Sequence, residues 1–89
     1  MCIIYDDLHA EVLSGEFDTF DAALMELRKI AKIPFGDEPN NPPCANWAHC
    51  AREYYVHQYD NSLTPLKLMS QTFVLKISAT ETVWLFKGK

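Results

Sequence analysis

Long apolar runs, basic clusters and paired metal-ligand motifs are all missing from this 89-residue chain. No segment approaches the ~20 consecutive apolar residues of a membrane-spanning helix, so no contact with a membrane is expected. The opening MCIIYDD has neither the basic n-region nor the long apolar h-region of a secretory signal. A cytoplasmic location is therefore expected. Three cysteines, an odd number in a reducing compartment, do not make a disulfide framework. Internal repeats and low-complexity tracts are absent too, and the length fits a single domain spanning residues 1–89.

Positive charge is scarce where it would matter for nucleic acid. Residues 1–38 carry nine acids (Asp6, Asp7, Glu11, Glu16, Asp18, Asp21, Glu26, Asp37, Glu38) against three bases (Arg28, Lys29, Lys32). The later bases Arg52, Lys67, Lys76, Lys87 and Lys89 are scattered singly. An acidic half repels phosphate and isolated bases do not form a stripe, so no nucleic-acid partner is expected.

What is present is ordinary globular material, 48% hydrophobic and 22% charged, enough for one modest core without staples. The strongest periodicity predicts a helix over about 19–32. Phe20, Ala23, Leu24, Leu27, Ile30 and Ala31 fall on one stripe, with Asp21, Glu26, Arg28, Lys29 and Lys32 outside it. Asp18 or Thr19 can cap its start, and Pro34 ends it by pushing Ile33 out of the α region. Residues 8–13 have strand character, and residues 2–5 either extend that strand or form a short edge piece. A Pro- and Asn-rich connector covers 36–43, a single helical turn is expected over 46–50, and 64–69 suggest another short turn.

Three further strands follow, at 52–60, 73–78 and 82–87, the last two as a hairpin. In the last two, Phe73, Leu75 and Ile77 alternate against Val74, Lys76 and Ser78, and Val83 and Leu85 against Trp84 and Phe86. One amphipathic helix can cover one face of such a sheet. The expected fold is therefore α+β and two-layered, with the helix on a mainly antiparallel sheet of three or four strands, one parallel pair being allowed.

The segment PNNPPCANWAHCAREYYVHQYD holds the densest chemistry. Cys44 and Cys50 lie too far apart for a usual zinc pair, and His49 adjoins the second cysteine instead of standing off from it. A disulfide between them would close a small loop worth about 2.4 kcal/mol, and cytosolic reductants oppose it. Neither a Gly-rich oxyanion loop nor a triad spacing supports a thiol nucleophile. Packing around Trp47 is the preferred reading, with a thiol-dependent redox or metal-binding role for Cys44 and Cys50 as the alternative. Taken together, FDTFDAALMELRKIA, PNNPPCANWAHCAREY, the aromatic strand, LKISA and a closing Trp-containing strand resemble small bacterial proteins of uncharacterised function. That resemblance implies a free-standing bacterial domain and no particular activity.

His9, His49 and His57 fall on separate segments, and the pairs Asp6-Asp7 and Asp37-Glu38 are expected in solvated loops. No catalytic, cofactor or metal residues are assigned. The aromatic set is more informative, because both faces of the 52–60 strand carry tyrosine and one helix covers only one of them. Tyr55, Tyr59, Trp84 and Phe86 are the candidate interaction surface, unless the connector folds over it. A non-enzymatic module that contacts a protein partner or forms a homodimer is the expected function.

Overall fold

The computed structural model describes residues 1–13, 15–40, 51–60, 67–78 and 80–87. The strands are β1 (Cys2–Asp6), β2 (Glu11–Val12), β3 (Ala51–Asp60), β4 (Lys67–Ser78) and β5 (Thr82–Trp84), and the helix is α1 (Phe20–Ile30). They form one five-stranded sheet in the order β2-β1-β3-β4-β5, antiparallel at every pairing. The two-layer α+β expectation holds, with more strands than expected and, among the described residues, no parallel pair.

The helix forms where its stripe predicts. Ala23, Leu24, Leu27 and Ile30 are buried against Ile4, Tyr54, Val56, Val74, Leu75 and Ile77 of the sheet. Thr19 caps it, its Oγ1 accepting from the Ala22 N–H at 3.1 Å. The last turn tightens, since the N–H groups of Lys32 and Ile33 donate to the carbonyls three residues back. The Ile30 carbonyl, which already accepts from Ile33, and the Ile33 carbonyl both accept from the Asn40 side chain, whose Nδ2 donates to them at 3.0 and 2.8 Å. Asn40 itself is fully buried, and its Oδ1 accepts from the Tyr54 hydroxyl at 2.8 Å. One side chain of the connector thus joins the helix end to the central strand. Gly36 makes the return possible, its φ of +97° lying where side chains are disfavoured and its N–H donating to the Asn40 carbonyl at 3.0 Å.

The first strand is a correction. Residues 8–13 were expected to hold it, but the alternating burial of Cys2–Asp6 puts those residues beside β3, with Ile4 opposite Val56. Residues 7–10 turn, and β2 is a two-residue edge. The core needs the apolar faces of Cys2 and Ile4, whereas Leu8 and Val12 stay exposed. A second correction concerns 64–69, since Lys67, Leu68 and Met69 already belong to β4. The helical turn expected over 46–50 lies outside the described residues.

Alternation along β4 also breaks. Tyr54 pairs with Leu75 and Tyr55 with Phe73, so Val74 is an extra residue in a bulge. Val74, Leu75 and Ile77 consequently all reach the core, while Phe73 passes to the opposite face.

Candidate functional site

The face of the sheet opposite α1, which carries no helix among the described residues, collects one side of β1, β3 and β4. Cross-strand register sets Ile3 opposite His57, Tyr5 opposite Tyr55, Tyr55 opposite Phe73 and Tyr59 opposite Leu68. Opposite residues in an antiparallel pair share a face, so these side chains form one surface. Tyr55 and Phe73 stack with ring centroids 4.6 Å apart and planes 5° from parallel. Tyr5 lies 4.6 Å from the His57 ring, and His57 lies 6.4 Å from Tyr59. Val12, beside Tyr5 in the register, and Leu68, beside Tyr59, extend this surface and are exposed.

His57 sits in the middle of these rings and is only 7% exposed. Its Nε2 is buried with no hydrogen-bond partner among the described residues. Burial pushes the imidazole pKa below its ordinary 6.5, and the charge of Asp7 offsets part of the effect. The ring is therefore held neutral at physiological pH. Tyr55 shifts the other way, burial first and then Asp7 and Glu53 raising its hydroxyl above 10.0. The face is accordingly uncharged over its aromatic centre and rich in rings with few rotamers to freeze.

Two members of the sequence-derived surface lie elsewhere. Trp84 pairs with Leu75 and so shares the covered face, where the Arg28 guanidinium lies 4.5 Å from the centre of its ring. Phe86 packs on Phe20 of the helix at 5.3 Å. Tyr55 and Tyr59 are brought together with Tyr5, His57 and Phe73, and Trp84 and Phe86 are not. Phe73 was legible only as a member of the opposite set, because a bulge has no mark in the alternation itself. Cys44, Cys50, Trp47 and His49 lie outside the described residues.

A second group stands at the end of the covered face. Asp6 was expected in solvent beside Asp7, yet it is fully buried while Asp7 is exposed. The reason is period two: Cys2, Ile4 and Asp6 share the inward side of β1. Its Oδ2 accepts from Arg52 Nη1 at 2.7 Å and lies 2.7 Å from His9 Nδ1. Its Oδ1 accepts from the backbone N–H groups of Leu8 and Glu53, each at 3.1 Å. Burial works against this carboxylate, but the donors of Arg52, Glu53 and His9 outweigh it and hold its pKa below 3.8.

Arg52 also donates to Glu11, so one guanidinium bridges β1, β2 and β3. Metal-type ligand atoms of Asp6, His9 and Glu11 lie within 4.8 Å of one another. The Arg52 guanidinium already serves the two carboxylates that a cation would need, and the arrangement does the work of an electrostatic clamp. A cleft of about 360 Å³ opens beside it, lined by Glu11, Val12, Leu13, Glu38, Pro39 and Arg52. Among the described residues its lining carries two carboxylates, Glu11 and Glu38, and the Arg52 guanidinium, which is bound to Glu11 and Asp6.

No family model, curated protein or solved structure matches this chain. The site must be read from its own geometry.

Proposed function

We propose that the protein is a non-enzymatic interaction module that engages a protein partner, or a second copy of itself, through the helix-free face of its sheet. The observation that carries this reading is the stacked Tyr55–Phe73 pair, continued by Tyr5, His57 and Tyr59 on the face opposite α1. Aromatic rings supply contact area at low entropic cost and are enriched at the centres of protein interfaces.

The test is hydroxyl-radical footprinting of the chain inside cells and, for comparison, as a dilute purified sample. Tyr5, Tyr55, Tyr59 and Phe73 are expected to lose reactivity in the cellular sample. Met25 on the solvent side of the helix, 64% exposed, should stay equally reactive in both. Equal labelling of the four aromatic residues in both samples overturns the reading.

A further inference from the structure

The two edges of the sheet are treated differently. On the β1 side, Glu11, Val12, Leu13 and Phe17 bond along the strand. Leu13 donates to the Ile4 carbonyl, and Cys2 and Phe17 exchange both backbone hydrogen bonds. On the β4 side, β5 pairs only with Leu75, Lys76 and Ile77, and the Leu85 N–H reaches the Val74 carbonyl. Phe86 then turns onto the helix. Among the described residues nothing pairs with β4 from 67 to 73 on that side, and Leu68 and Met69 are 38% and 61% exposed.

An open edge is a template for another strand, and proteins that avoid such pairing place charge, proline or a short strand there. Here the run LMSQTFVL, residues 68–75, has no charge, no proline and no glycine. Lys67 stands only at its start. We propose that the free edge of β4 pairs antiparallel with the same edge of a second copy, about a twofold axis at Gln71. The choice of a second copy rests on self-complementarity. With the axis at Gln71, Ser70 of one copy falls opposite Thr72 of the other. Leu68 falls opposite Phe73, with Met69 taking up the bulge already present between the Ser70 and Leu68 pairings. Polar meets polar and apolar meets apolar. The basic residue at the start of the run, Lys67, does not meet its own copy. Because paired residues share a face, Leu68 and Phe73 of both copies stay on the helix-free side. Two five-stranded sheets then become one, with the two aromatic faces continuous. This pairing uses the backbone edge, while Gln71, opposite His57, also faces the aromatic side. Recovery of mixed Gln71 variants of opposite charge requires the two Gln71 positions to meet at the axis, and it is what separates edge pairing from contact through that face.

Sedimentation equilibrium over a concentration series tests it, with Gln71→Lys and Gln71→Glu as the variants and circular dichroism as the check on folding. Wild type is expected to dimerise. Each variant alone brings like charges together at the axis and should dissociate at least about tenfold more readily. An equal mixture of the two variants should recover the wild-type dimer, which a merely misfolded pair would not do. A wild-type monomer at every concentration overturns the proposal. So does a dimer that neither charge weakens, or variants that fail to rescue one another. A dimer broken by Tyr55→Lys and indifferent to both Gln71 variants places association on the aromatic face instead of the edge.

Discussion

Removing the Asn40 side chain should cost more stability than any other single change in the connector. Asn40→Ala deletes three hydrogen bonds at once: two donated to the Ile30 and Ile33 carbonyls, and one accepted from Tyr54. At about 1 kcal/mol net for each, the loss is about 3 kcal/mol. A domain of this size has on the order of 4–13 kcal/mol in total, so the variant should remain folded at 25 °C. Its melting temperature should fall by about 15 °C, taking 4–8 °C per kcal/mol. Tyr54→Phe should cost less: it removes the hydroxyl that donates to the Pro39 carbonyl and to Asn40 Oδ1, but Asn40 keeps both of its donated bonds. A double-mutant cycle isolates the Tyr54–Asn40 coupling at about 1 kcal/mol. Urea denaturation supplies all four stabilities. If Asn40→Ala loses less than about 1 kcal/mol, the connector does not clamp the helix end and the argument from buried carbonyls is wrong.

Two pH dependences follow from buried groups. The folded pKa of Asp6 lies below 3.8, so the stability it gives is complete above that value and is lost as pH falls through the folded one. Asp6→Asn should cost about 3 kcal/mol at pH 7 and flatten the acid limb of the stability curve, and an unchanged acid limb would assign it to other carboxylates. His57 also has a lowered pKa, so the unfolded chain takes up its proton first and stability declines as pH drops from 6.5 toward the folded value. Urea midpoints of His57→Phe between about pH 5 and 7 should lose that slope; a slope that persists refutes the buried, neutral ring between Tyr5 and Tyr59 beside Asp7.

The local periodicities of the chain were enough to determine the helix, a cap at Asp18 or Thr19, its end before Pro34, the aromatic strand at β3 and the two-layer α+β class. These depend on neighbouring residues, and the stripe of Ala23, Leu24, Leu27 and Ile30 has no second solution. What the tertiary structure decided is which of two plausible first strands enters the sheet, and which side each later aromatic takes. Cys2–Asp6 prevails over 8–13 because only its inward side, Cys2 and Ile4, completes the core against Val56, a comparison made across the sheet. Phe73 leaves its expected side because one extra residue at Val74 reverses a period-two pattern, and Trp84 takes the core side because the β4–β5 register sets it opposite Leu75; a bulge and a register exist only in relation to the partner strand. The same holds for Asp6 and Asn40. Their polar side chains look solvated in isolation, and they are buried because Arg52, 46 residues from Asp6, and Tyr54, 14 residues from Asn40, supply the matching groups.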